Sequence, residues 1–174
     1  MQWDKVEILL LDFDGTIAGP KLWGPDGIAL KPICGRDGAG IGLMRKIGVP
    51  VCVVTNEYTP ITMKWCEYQS VEFHHVPNSN SKLPIVMGIL NTHNILPVNA
   101  CYVGDDVSDI PPMNAVGLPV AVANAHPALL NGDYYITKYP GGGGAVREVC
   151  DHIYMHRGGI VEYRSLEDLE EWYR

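Results

Sequence analysis

Ile8-Leu9-Leu10-Leu11-Asp12-Phe13-Asp14-Gly15-Thr16 decides how the rest of this chain is read. Four consecutive aliphatic residues predict a buried strand. The chain then delivers two carboxylates to the end of that strand and turns on Gly15. In an open α/β sheet, ligands sit outside the carboxyl ends of the strands. Two carboxylates there can hold a hard cation such as Mg²⁺. One of them can also attack an electrophile and form a covalent intermediate. Taken alone, the same residues also fit an acidic turn after a strand, since Asp-Gly is a common turn pair.

Outward from this stretch, short apolar runs alternate with helix-like segments. Strands are expected at 7–12, 51–54, 100–103, 118–122 and 134–136, and helices near 38–47, 60–69, 82–92, 108–115 and 145–156. The alternation implies an α/β fold, a central parallel sheet with helices on both faces. Gly48 followed by Pro50 closes the first helix. Between the first strand and the first helix, Pro25-Asp26-Gly27 separates two short apolar pieces, which predicts a β-hairpin insertion at about 19–33. That insertion is too short for a separate cap domain, and the interval from Thr55 to Lys82 leaves no room for one. We expect one domain over 1–157 and a tail over 158–174. In that tail Ser165-Leu166-Glu167-Asp168-Leu169-Glu170 reads as a capped acidic helix.

Bulk properties narrow the class. A chain of 174 residues that is 47% hydrophobic and 19% charged is an ordinary globular domain. A net charge of −7 argues against non-specific nucleic-acid binding. It leaves an anionic small substrate open, because a local cation and lysine decide that. The five cysteines contain no C-x-x-C pair, and Cys52 and Cys101 sit inside apparent core strands, which fits reduced thiols in a reducing compartment. The N-terminus lacks a signal-peptide pattern and no apolar run approaches a membrane span, so a soluble cytoplasmic protein is expected.

The opening motif has companions. Thr55 follows Val51-Cys52-Val53-Val54, Lys82 opens a helix, and Gly104-Asp105-Asp106 follows Cys101-Tyr102-Val103. In this order they resemble the four motifs of the haloacid dehalogenase superfamily, whose domain is Rossmann-like. A receiver domain also uses acidic residues, Thr and Lys. It would carry its adjacent acidic pair after the first strand, whereas here the pair comes late. The resemblance implies that Asp12 is the nucleophile and that Asp14 protonates the leaving alcohol and then activates water. It implies Mg²⁺ held by Asp12, Asp105 and the backbone carbonyl of Asp14. Thr55, Asn56 and Lys82 would bind the phosphoryl group. Asp106 and Asp109 would support the site by binding a metal-bound water or orienting Lys82, or serve as structural hydrogen-bond partners.

Two longer stretches resemble one capless branch, the phosphatases of 3-deoxy-D-manno-octulosonate (KDO) 8-phosphate and of nine-carbon sugar acid 9-phosphates. One is Arg36-Asp37-Gly38-Ala39-Gly40-Ile41. The other runs from Gly104 through Asn124-Ala125-His126-Pro127 to Gly141-Gly142-Gly143-Gly144-Ala145-Val146-Arg147. The branch implies a homotetramer built around the hairpins, with each glycine-rich segment able to reach a neighbour's site and Arg36 and Arg147 as substrate contacts. The glycine run by itself reads as a flexible loop or a closing flap. Three features depart from the branch, the first being that the opening motif reads Asp-Phe-Asp-Gly-Thr-Ile where the branch usually has Asp-Val-Asp-Gly-Val-Leu. Octulosonate phosphatases usually have Gly-Arg after the Thr, where this chain has Asn56-Glu57. An acid there is more like the nine-carbon branch, whose basic residues appear here as Trp65 and Tyr68. His152 and His156 lie four apart on a helix, a spacing that could hold Zn²⁺. With no third ligand nearby they read as exposed helix histidines, and His74-His75 likewise. A catalytically weak interaction module is the reading from another class, against which stands the complete Asp12, Asp14, Lys82 and Asp105 set.

Overall fold

The run Ile8–Leu11 forms β1, fully buried in the middle of a six-stranded sheet. The structure is a computed structural model that describes residues 2–26, 29–77 and 81–159. After β1 come a hairpin of β2 (Leu22–Trp23) and β3 (Ala29–Leu30), α1 (Gly35–Lys46), β4 (Val51–Thr55), α2 (Pro60–Gln69) and β5 (Glu72–His75). They are followed by α3 (Leu83–His93), β6 (Ala100–Gly104), short α4 (Ile110–Met113), β7 (Leu118–Ala121), short α5 (Pro127–Leu130), β8 (Tyr135–Ile136) and α6 (Ala145–His156). The sheet order is β5-β4-β1-β6-β7-β8, and every pair is parallel. Strands covered on both faces need apolar side chains on both, which is why β1, β4 and β6 are continuous buried runs rather than alternating ones.

The chain winds outward from β1 to β4 and β5, then returns through α3 to β6 on the other side of β1. Right-handed crossovers therefore place α1 and α2 on one face and α3 and α4 on the other. The contacts agree: α6 packs on α1 and α2 also touches α1, while α3 packs against α4. The reversal makes a switch point between β1 and β6, the place where α/β sheets bind ligands. Among the described residues no helix is long and apolar enough to cross a membrane.

The structure differs from the sequence reading in three elements. Glu-Phe-His-His forms β5, which carries no apolar run because it is a half-exposed edge strand. The helix expected over 108–115 is a 3-10 turn, Val107–Asp109, followed by one α turn, since Pro111 and Pro112 supply no N–H to extend it backwards. α5 was not anticipated. The hairpin lies where expected, with Leu22 paired to Leu30, although its tip at Gly27 and Ile28 lies outside the described residues. The expected helix in 165–170 also lies outside them.

The glycine run is not a free flap at its start. Gly141 N–H donates to Asn124 Oδ1 (2.8 Å) and Gly142 N–H to the Thr16 carbonyl (2.9 Å). A Cβ on Gly141 would fall 1.6 Å from the Gly15 carbonyl oxygen. Backbone-to-backbone approach of this kind requires glycine, so the run is spent on packing against the opening motif of its own chain. The run leads into α6, whose first turn is capped from outside: Asp37 in α1 accepts from Arg147 N–H (2.8 Å).

Asp37 is completely buried, and its Oδ2 has no hydrogen-bond partner among the described residues. Burial pushes its carboxyl up to about 6, against the opposing pull of the Arg147 and Gly144 amides. The folded state thus holds this proton more tightly than the unfolded chain does. Its stabilising contribution is complete below about pH 4 and is lost as pH rises through about 6. Asp37→Asn keeps an acceptor for Arg147 N–H, so its stability should decline less than the parent's across that window. Urea midpoints measured at intervals of pH will show the difference; parallel curves for the two proteins would contradict it.

Candidate active site

β1 and β6 run in register, Leu11 beside Val103, so the residues that follow them emerge side by side. Asp12 N–H extends the ladder to the Val103 carbonyl (3.0 Å), and Phe13 is buried edge-on against Trp65. Gly15 has φ +85°, and a Cβ there would meet Asp105 Oδ2 at 2.0 Å. Only glycine lets this turn press against Asp105.

Lys82 immediately precedes α3 and is buried with its Nζ 2.7 Å from Asp12 Oδ1 and 2.7 Å from Asp109 Oδ1. Asp109 is wholly buried and saturated. Its Oδ1 also accepts from the Tyr102 hydroxyl (2.8 Å), and its Oδ2 accepts from the N–H groups of Asp105 (3.0 Å) and Asp106 (3.2 Å). Asp106 points away as an exposed cap on the 3-10 turn, accepting from Val107 N–H. Of the two supporting acids, Asp109 is the one bonded to Lys82, while Asp106 caps the turn.

Three carboxylates share this pocket with one ammonium. Burial, then the Asp109 charge, pushes the Asp12 carboxyl well above its usual range, and Lys82 only partly offsets this. The same two causes raise Asp105 to about 6. Burial alone would lower Lys82, but Asp12 and Asp109 overcome it and raise it. Ligand oxygens of Asp12, Asp105 and Asp109 lie within 4.8 Å of one another. Hard oxygens in surplus over cationic charge suit a hard divalent cation such as Mg²⁺. Because both Asp109 oxygens are occupied, Asp12 and Asp105 are the side chains with lone pairs to spare.

A second polar group adjoins the first. Asp14 Oδ1 lies 2.6 Å from Lys31 Nζ, which also binds Glu57 Oε2 (2.9 Å); Glu57 is joined by Lys21 as well. Burial raises the Asp14 carboxyl, with Lys31 pulling against it. Burial would raise Glu57 too, but hydrogen bonds from Lys21 and Lys31 hold it down to about 2. Sequence reasoning missed Lys31 and Lys21, because isolated lysines flanking a hairpin carry no local signal. Thr55 ends β4, buried, its hydroxyl oxygen accepting from Glu57 N–H (3.2 Å) and its proton still available to donate. Asn56 spends an amide proton on the Val76 carbonyl (3.1 Å).

Arg36 and Arg147 are not brought into this cluster. Arg36 donates to the Gly143 carbonyl (3.1 Å) and lies over the Tyr139 ring, and Arg147 pairs with Asp151 (2.7 Å). Both line a groove with Lys138 and His152 that contains none of the site carboxylates. His152 is half-buried rather than exposed, stacked on Trp3 and 3.0 Å from the Tyr135 hydroxyl, while His156 is exposed as expected. His74 and His75 belong to β5, not to a helix.

Asp109→Ala should cost about 3–5 kcal/mol, because it leaves a buried ammonium with one fewer partner and two amides unmet. Tyr102→Phe removes one neutral donor and should cost about 1 kcal/mol. Denaturant melts in the presence of a chelator will separate the two; similar costs would mean that Asp109 is not the anchor.

The chain matches the haloacid dehalogenase-like hydrolases over residues 55–148. It is 36% identical over 163 residues to the 3-deoxy-D-manno-octulosonate 8-phosphate phosphatase KdsC of Escherichia coli K12, covering 93% of this chain and 86% of that one. The solved structure of the corresponding phosphatase from Yersinia pestis superposes with a TM-score of 0.84 at 34% identity, over 90% of this chain and 84% of that one. The Moraxella catarrhalis enzyme, solved in complex with magnesium, phosphate and KDO, shares the fold at 21% identity, with a TM-score of 0.84 over 99% and 96% of the two chains.

Proposed function

We propose that this chain, which belongs to the haloacid dehalogenase-like hydrolases and is a phosphatase, hydrolyses the phosphate monoester of a 2-keto-3-deoxy sugar acid, KDO 8-phosphate in the first place. The observation that carries the chemistry is Asp12 held by Lys82 beside Asp105 at the switch point of a parallel sheet. The substrate rests on the relatives named above.

Asp12 and Asp105, with the Asp14 backbone carbonyl, would hold Mg²⁺, which when bound offsets the charge repulsion between carboxylate and phosphate. Lys82 engages Asp12 Oδ1 and fixes the carboxylate's rotation, leaving Oδ2 to attack phosphorus. The new bond joins Asp12 Oδ2 to phosphorus, and the bond from phosphorus to the substrate oxygen breaks. Asp14, whose carboxyl is raised by burial, gives its proton to the departing alkoxide. It then takes a proton from water, which attacks the aspartyl phosphate, frees phosphate and restores Asp12. Thr55 and Lys82 supply donors to the phosphoryl oxygens. Asn56, already bonded to Val76, has one amide proton left for this role.

A specific feature favours a second substrate. Glu57 stands where octulosonate phosphatases usually carry a basic residue, and it is kept ionised by Lys21 and Lys31. An anion at that place suits the hydroxyl-rich chain of a nine-carbon sugar acid 9-phosphate. Phosphate release with Mg²⁺ should be greatest for one of these two sugar-acid esters and small for nucleoside monophosphates. Asp12→Asn should lower it by several orders of magnitude with little change in melting temperature. Near-parental release from Asp12→Asn would end the nucleophile assignment.

Assembly is part of the same reading. Leu22 (55% exposed), Trp23 (70%) and Leu30 (57%) place three large apolar side chains on one two-stranded hairpin, more than an isolated hairpin supports in water. Hairpins packed between subunits would cover them, and a homotetramer is the state we expect. Light scattering at micromolar concentration tests it, a monodisperse monomer being the contrary result.

A further inference from the structure

We infer that Lys31, carried by the hairpin, is a positioning residue for Asp14, holding that carboxyl where it can hand its proton to the leaving oxygen; this rests on the acid–base role proposed above. Lys31 Nζ lies 2.6 Å from Asp14 Oδ1, and the lysine side chain is 1% exposed. An ammonium donating to Oδ1 ties that oxygen to the hairpin with a charge-assisted bond. Among the described residues, Oδ2 is buried and takes no hydrogen bond from a donor. Lys31 thus holds the Asp14 carboxyl by one oxygen and sets the direction of the other.

The lysine is itself held. Glu57, on the loop after β4, accepts from it at 2.9 Å, and the Phe13 ring centroid lies 5.3 Å from Nζ. Lys21, before β2, holds Glu57 from the other end of the hairpin. The series Lys21–Glu57–Lys31–Asp14 therefore ties both ends of the insertion to two motif loops. Asp14 lies just before the Gly15 turn, and no other described side chain forms an ion pair with it. Without the lysine, its two side-chain torsions would be set by packing and by its contact with Glu57, which the loss also loosens.

The test exploits leaving groups. An alkyl ester such as KDO 8-phosphate needs its departing oxygen protonated, whereas p-nitrophenol leaves as a stable anion. The ratio kcat/KM covers steps up to loss of the alcohol and leaves out the later attack of water, in which Asp14 also acts. Lys31→Met should lower kcat/KM for KDO 8-phosphate by about 10²-fold, in the range of general-acid effects, and for p-nitrophenyl phosphate by only a few-fold. Asp14→Asn should show the same split, and the double variant should be no worse than Asp14→Asn alone. Should Lys31→Met fold poorly, Glu57→Gln, which loosens the lysine without removing it, should give a smaller split of the same sign. Equal losses on both esters from an active parent enzyme would overturn the positioning role and leave the phosphatase reading intact. A parent enzyme inert on both esters would overturn that reading and this inference with it.

Discussion

Surplus negative charge at the ends of β1 and β6 is the constraint around which this molecule is arranged. Two parallel strands in register set Asp12 and Asp105 side by side, and a third acid, Asp109, lies beneath them. Buried carboxylates in such numbers are tolerated only when paired or neutralised. Lys82 bridges two of them from the start of α3. Tyr102 and two backbone amides saturate Asp109. What remains unbalanced, on Asp12 and Asp105, is the part suited to a cation and a phosphoryl group. The division between a saturated acid and two with lone pairs to spare is how the fold separates support from chemistry.

The small insertion after β1 has two tasks. Its apolar side chains face outward and call for another surface. Its flanking lysines face inward and lock Glu57 and Asp14. The same element that we propose joins subunits thus also binds Asp14. The start of the glycine run is used for packing. Gly141 and Gly142 let two backbones touch behind the opening motif, and Asp37 fastens the helix that follows. Both features stiffen the turn that carries Asp12 and Asp14, which suits a reaction dependent on placement.

Much was legible from the sequence because it is written locally. Apolar runs of four or five residues mark the central strands, since a strand covered on both faces has no polar side, and the acids at their ends mark the site. The order Asp12, Thr55, Lys82, Asp105 carried the family reading, and Asp109 was noted as a neighbour of Lys82. The edge strand β5 was missed because its exposed sequence has no periodic signature. Lys31 was missed because its partners are distant in sequence, 17 and 26 residues away, and only the return of the hairpin brings them together.

The sequence by itself therefore determined the fold class, the strand ends that bear chemistry and the residues at them, all being properties of short segments with a regular repeat. Tertiary structure alone decided which acid is saturated and which are free, and that Arg36 and Arg147 lie apart from the site within this chain. It also decided that a hairpin lysine pairs with Asp14 and that Gly141 and Gly142 serve close packing. Those outcomes depend on distances between residues remote along the chain. A side chain's role there follows from what it touches, and no local pattern records that.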